Sequence, residues 1–188
     1  MRQVIAIVTG VSGVGKSWLL QRVVANVPAQ VLSAGRLIAE ELSQQAVESD
    51  SYDELRAGDI GENQKALVAG FRRKLDQDKP IVLLDAHVVI DTPTGLEIIP
   101  SAVFADIDPS MFVFIEDDPV QILRHRSADP SRRRPQRDLA TLTEQQAKAK
   151  SVAKNIASAL AIPCHILMAG NVEGFVHLLQ VRGRRPHV

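Results

Sequence analysis

The chain has 188 residues, 45% hydrophobic and 23% charged, which suits one globular domain with a sizeable core. Lys+Arg and Asp+Glu both total 22, so overall charge does not by itself point to nucleic acid, and nucleic acid is not an expected partner. A single cysteine, Cys164, excludes an internal disulfide and a four-cysteine zinc site; its expected role is core filling near the last strand.

The first element is an apolar run over residues 4–8, expected as a buried strand. It leads at once into Gly10-Val11-Ser12-Gly13-Val14-Gly15-Lys16-Ser17, a complete G-x-x-x-x-G-K-S phosphate loop, which opens a helix over residues 16–27 stopped by Pro28. Glycines let successive backbone N–H groups curl around a phosphate, and the helix adds the positive end of its dipole. Lys16 is placed to reach the β/γ-phosphates and Ser17 to offer its hydroxyl to Mg²⁺. Four fixed positions in a strand–loop–helix context make an accidental glycine turn a poor alternative. Trp18, directly after the loop, is bulky; it reads as helix packing, with ring contact to a nucleotide as the other reading. So early a strand leaves no room for a signal peptide, and no run of 18 apolar residues occurs, so a cytoplasmic protein without a membrane span is expected.

Beyond this unit, short apolar runs at residues 30–32, 81–84, 111–115 and 164–168 alternate with helical stretches at 35–47, 61–77, 119–126, 144–160 and 172–180. The pattern predicts an α/β fold: a three-layer P-loop sandwich whose five-stranded parallel sheet is covered by helices on both faces. Asp118 before Pro119 and Thr143 before Glu144 are the predicted N-caps. Three connections are too long for compact turns: residues 48–60, 87–110 and 127–142. They read as functional loops that converge beyond the carboxyl ends of the strands, where ligands of open parallel sheets gather.

Asp85 ends the apolar run Ile81-Val82-Leu83-Leu84, where phosphate-loop proteins place an acidic residue that holds Mg²⁺, directly or through water; the bland alternative is a cap. His87 lies two residues on, on the same side of an extended chain, either as a hydrogen-bonding support or as a functional group. Arg124, Arg126, Arg132, Arg133, Arg134 and Arg137 crowd one helix end and a proline-punctuated loop. Together they suit a lid whose guanidinium forks neutralise a transferring phosphoryl group, against the alternative of a solvated or RNA-binding surface. Ser33-Ala34-Gly35-Arg36 fits a second substrate as readily as an ordinary helix start, and Arg56 in the polar loop is a candidate clamp for a second phosphate.

This constellation resembles the adenylate kinases, in particular the compact archaeal type, across nearly the whole chain. The resemblance is carried by the phosphate loop, Leu55-Arg56, Gln64-Lys65, Leu84-Asp85-Ala86-His87, Thr92-Pro93-Thr94-Gly95, the arginine lid ending Arg137-Asp138, and Gly170-Asn171. It implies ATP and Mg²⁺ as cofactors and a nucleoside monophosphate as acceptor, within residues 1–188 as one kinase domain. Segment 34–80 would bind the monophosphate and segment 127–142 would form the lid. It assigns Gly10, Ser12, Gly13, Val14, Gly15, Lys16, Ser17 and Trp18 to ATP, Ser17 and Asp85 to the metal, and the region of Asn171 to the adenine through backbone atoms. Ser33, Gly35, Arg36, Arg56 and Gln64 fall on the acceptor side. Lys16, Asp85, His87, Arg126, Arg132, Arg134 and Arg137 would serve the transfer. The Gly-Phe-Pro-Arg stretch of common adenylate kinases is replaced here by Ala86-His87-Val88-Val89, so another group must grip the acceptor phosphate.

The expected function is transfer of the ATP γ-phosphate to AMP or a similar nucleotide. The alternatives are an ATPase or assembly factor of the same fold, supported by the arginine lid and basic tail, and a small-metabolite kinase. The latter lacks the Asp-x-Asp or glycine triplet such kinases carry. Oligomeric state is left open by the sequence.

Overall fold

The computed structural model describes residues 3–44, 60–92, 95–128 and 137–183. Five strands, β1 (Val4–Thr9), β2 (Ala29–Ser33), β3 (Ile81–Asp85), β6 (Met111–Glu116) and β7 (Cys164–Met168), form one sheet in the order β2-β3-β1-β6-β7. Every pairing in it is parallel. Parallel neighbours need long crossovers. These carry α1 (Lys16–Val24), α2 (Ala34–Gln44), α3 (Ile60–Lys74), α5 (Pro119–Ala128) and α6 (Leu139–Ala159), and α7 (Val172–Gly183) follows the last strand.

The central strands are apolar almost end to end because helices cover both faces. β6 is buried at every position but its last, and Ile7, Leu83, Leu84 and Phe114 are wholly inaccessible. The edge strands β2 and β7 are only partly buried. Burial breaks at the end of β3: Asp85, its last residue, regains access to solvent. The register aligns Val8, Asp85 and Ser33 in one row across β1, β3 and β2. β1, with β3 on one side and β6 on the other, is the switch point of the strand order, so the row opens where such sheets take ligands.

Two stretches correct the sequence reading. Residues 87–110, expected as a long loop, hold an antiparallel hairpin, β4 (Val89–Thr92) with β5 (Gly95–Ile98), followed by α4 (Ser101–Ala105). Strands of four residues around a proline read as loop because proline and short runs both argue against a strand. Thr92 pairs with Gly95, its hydroxyl donating to the Gly95 carbonyl at 2.8 Å. Phe104 on α4 meets Phe112 on β6 edge-to-face, centroids 5.2 Å apart, a contact of about 0.5–1.5 kcal/mol beyond burial that seats α4 on the sheet.

The second correction is the start of α6. Thr143 is not its cap: Asp138 holds extended backbone and its carboxylate accepts from Thr141 N at 2.8 Å, while Thr143 lies inside the helix and donates to the Leu139 carbonyl. Asp138 satisfies an orphan N–H one turn earlier, so the helix gains five residues of the expected loop. Asp118 caps α5 as predicted, accepting from Val120 N at 2.7 Å. Cys164 in β7 is half-buried against the core, and burial raises its thiol pKa, partly opposed by the charge of Lys154. Among the described residues no helix is long and apolar enough to cross a membrane.

Candidate active site

The phosphate loop leaves β1 through a backbone that side chains cannot follow. Gly10 has φ +150° and a Cβ there would stand 2.4 Å from the Ile115 carbonyl, so the loop lies against the end of β6 at a distance only glycine permits. Gly13 and Gly15 take φ +87° and +98°, curling the loop into the N-terminus of α1, where Gly15 is the cap and Leu19 N closes the first turn on the Gly15 carbonyl at 3.1 Å.

Lys16 is 7% exposed, and its Nζ donates to the Gly10 carbonyl at 3.2 Å and lies 3.8 Å from Asp85 Oδ1. The Gly10 carbonyl also sits 3.0 Å from His87 Nδ1. Lysine and histidine thus share one carbonyl, with the aspartate beside the lysine, at the ends of β1 and β3. From α5, Arg126 reaches back over the loop: its Nε donates to the Ser12 carbonyl at 2.8 Å, and its Cγ lies where a Cβ on Gly13 would come within 2.7 Å. The glycine creates the seat for this arginine.

Two spaces meet at the loop. An open cleft of about 1080 Å³ is lined by Gly13, Val14, Gly15, Lys16, Ser17 and Trp18, and also by Ser33, Arg36, Asp85 and Gly170. A smaller cavity of about 120 Å³ begins at Gly10 and Ser12 and runs between α2, α3 and the hairpin, past Gly35, Gln64, Asp91 and Phe104. His87 borders both spaces. The arrangement is an open cleft and a second, smaller compartment that meet at the glycine-rich loop.

Most of the residues singled out from the sequence therefore lie together. Gly10, Ser12, Gly35, Gln64 and Arg126 face the small cavity, and the remaining loop residues, Ser33, Arg36 and Asp85 face the cleft. Trp18 is 47% exposed on the cleft wall with the Arg22 guanidinium 4.2 Å above its ring, so it is not a packing residue of α1. Asn171 lines neither space: its Oδ1 accepts from Gly174 N at 2.9 Å as part of the turn into α7. Arg137 stands apart from the loop in a forked pair with Asp91, Nη2 to Oδ1 at 2.9 Å and Nε to Oδ2 at 3.4 Å, and that hydrogen bond and charge raise its pKa. Arg56, Arg132 and Arg134 lie outside the described residues.

Sequence reasoning passed over Asp91, Phe104 and Gln145. The first two belong to the stretch read as loop. Gln145 carried a signal: with the helix started at Leu139, it falls on the stripe of Leu142, Ala149, Val152 and Ile156, all buried. Starting the helix at residue 144 placed it in a first turn, where a polar residue is unremarkable.

Comparison with known proteins agrees with this geometry. Residues 9–143 match a protein family described as an AAA domain. The adenylate kinase of Thermoplasma acidophilum is 32% identical over 145 residues, 75% of this chain and 76% of that protein. The adenylate kinase of Methanoculleus marisnigri is 28% identical over 179 residues, 90% of each chain. Among solved structures, shikimate kinase from Bacteroides thetaiotaomicron superposes with a TM-score of 0.57 over 95% of this chain and 97% of that one, at 13% identity, a likeness of fold.

Proposed function

The chain belongs to the adenylate kinase family and is a nucleoside monophosphate kinase, and on that premise we propose that it transfers the γ-phosphoryl group of ATP to AMP, with the open cleft holding the donor and the small cavity the acceptor. The observation that carries the reading is the pair of compartments meeting at one phosphate loop, with Arg126 and His87 at the junction. A hydrolase needs one nucleotide site and a water; a transferase needs two sites that share a phosphate.

In the proposed reaction an acceptor phosphate oxygen attacks the γ-phosphorus, the bond from that phosphorus to the β–γ bridging oxygen breaks, and ADP leaves with the electron pair. The backbone N–H groups from Gly13 to Ser17 hold the donor phosphates, and Lys16 follows the charge from ground state to transition state. Its present bond to the Gly10 carbonyl keeps the ammonium at the loop before a phosphate arrives. Arg126, anchored through Nε on the Ser12 carbonyl at the junction of the two spaces, brings its guanidinium charge to where donor and acceptor phosphates would meet. Such a reaction asks little covalent chemistry of the protein; alignment and charge neutralisation supply the rate. His87 on the Gly10 carbonyl keeps the loop's first turn in place. Arg132, Arg134 and Arg56 are assigned to phosphate binding on family resemblance alone.

Ser17 and Asp85 fit a magnesium ion: one hydroxyl and one carboxylate on the cleft wall are hard oxygen donors, and two protein ligands suit an ion that keeps water and phosphate oxygens in its shell. Held there by Ser17 and Asp85, Mg²⁺ would supply positive charge against the donor phosphates.

The test is ADP formation from ATP with and without AMP. AMP-dependent formation of two ADP is expected, lost in Lys16→Ala. Phosphate release independent of AMP as the main activity, or near-normal turnover of Lys16→Ala, would overturn the proposal.

A further inference from the structure

Two successive turns of α6 grip the end of β6. Gln146, 9% exposed among the buried residues of the helix, spends its whole amide on one residue: Oε1 accepts from Asp117 N at 3.2 Å and Nε2 donates to Asp117 O at 2.9 Å. One turn on, Lys150 Nζ donates to Glu116 Oε2 at 2.6 Å. A side-chain amide that binds both backbone groups of one residue does what an antiparallel neighbour does in a sheet. It does so one residue past β6, where the sheet itself ends: the Glu116 carbonyl still accepts from Ala169 N beyond β7, at 2.9 Å. An apolar residue would suit the buried side of α6 as well, but it would leave the two backbone groups of this turn without their partner.

What the grip holds is the root of α5. Asp117 Oδ1 accepts from Asp118 N at 2.8 Å, Asp118 caps α5 through Val120 N, and two turns later Arg126 sets its Nε on the Ser12 carbonyl. Ile122, wholly buried, seats the helix on the core, but apolar contact has no preferred direction and leaves the tilt to the turn. From Pro119 to Arg126 the helix rises about 10 Å, so a tilt of about 10° at its root carries the arginine by about 2 Å. Against a hydrogen bond of 2.8 Å, that displacement is enough to break it. We infer that Gln146 is a positioning residue for Arg126: by holding both backbone groups of Asp117 it fixes the angle at which α5 leaves the sheet, and with it the seat of the guanidinium on the phosphate loop. The inference rests on the reading of Arg126 as the charge that meets the donor and acceptor phosphates. Gln146 itself lines neither space.

The test is a double-mutant cycle on ADP formation from ATP and AMP, with melting curves, for wild type, Gln146→Leu, Arg126→Ala and the double variant. Gln146→Leu is expected to lower kcat by about 10- to 100-fold, the range for a group misplaced by an ångström or so. The KM for ATP changes by less than about threefold, because the phosphate loop keeps its own backbone. With Arg126 absent, the same substitution lowers kcat by no more than about threefold further. Gln146→Met, closer to glutamine in length, carries the test if the leucine variant does not fold. Melting temperature falls alike with and without Arg126, so the coupling in kcat is what reports positioning. Losses in kcat that multiply in the double variant, or an unchanged kcat in the folded variants, overturn the inference and leave the kinase reading intact. Near-normal kcat in Arg126→Ala overturns the role of Arg126 itself, and the inference with it.

Discussion

Replacing Gly13 by alanine separates what the phosphate loop contributes to stability from what it contributes to turnover. The position holds φ +87°, where an L-residue costs about 1–2 kcal/mol. In a chain of this length that lowers the melting temperature by about 2–8 °C. The backbone N–H is retained, so the phosphate cradle keeps its donors. The new Cβ, however, stands 2.7 Å from Arg126 Cγ, a separation no pair of carbons sustains. The flexible side chain moves, and its 2.8 Å bond to the Ser12 carbonyl is lost. If Arg126 stabilises charge in transfer, Arg126→Ala lowers kcat by about 10²–10³-fold, the range for one preorganised donor. Gly13→Ala then lowers kcat largely through the same residue. The assay is a double-mutant cycle on ADP formation, with melting curves for all four proteins. The double variant is expected within about threefold of Arg126→Ala, a coupling on the order of 1–3 kcal/mol. Melting losses should instead persist with Arg126 absent, because the backbone strain does not depend on it. Multiplicative losses in kcat would refute the idea that glycine matters here as the seat of the arginine.

Two further expectations follow from local geometry. The Thr141 side chain, and then the Thr141 N–H that Asp138 holds, lower that carboxyl's pKa below its unfolded value of about 3.9, so the cap stabilises the fold at neutral pH and its contribution fades as pH falls through the depressed folded value. The melting gap between wild type and Asp138→Ala should hold from pH 7 to about 5 and close below about 4, while Asp138→Asn keeps most of the cap; a gap that ignores pH argues against the carboxylate. Burial raises the Cys164 pKa, so alkylation at pH 8 should run at least about 10-fold slower in the native protein than in denaturant, and equal rates would place the thiol on the surface.

The legible parts of the site were those written in local chemistry. Glycine spacing specifies a phosphate loop wherever it follows a strand and opens a helix, and an aspartate ending a buried apolar run must face out of the core. The hairpin was illegible because its strands, four residues each, reveal themselves by pairing and not by propensity. Arg137 shows the same limit: its place in an arginine-rich run suggests phosphate and says nothing of its partner Asp91, which lies 46 residues earlier on that hairpin. No window on the chain contains both.

By itself, then, the order of residues determined a five-stranded parallel α/β architecture and the position of the phosphate loop in it, because hydrophobic periodicity and a contiguous glycine-rich loop are properties of short segments. Only the tertiary structure decided that a second compartment exists beside it. Its cavity is walled by α2, α3, α4, α6 and the hairpin, elements far apart in the chain.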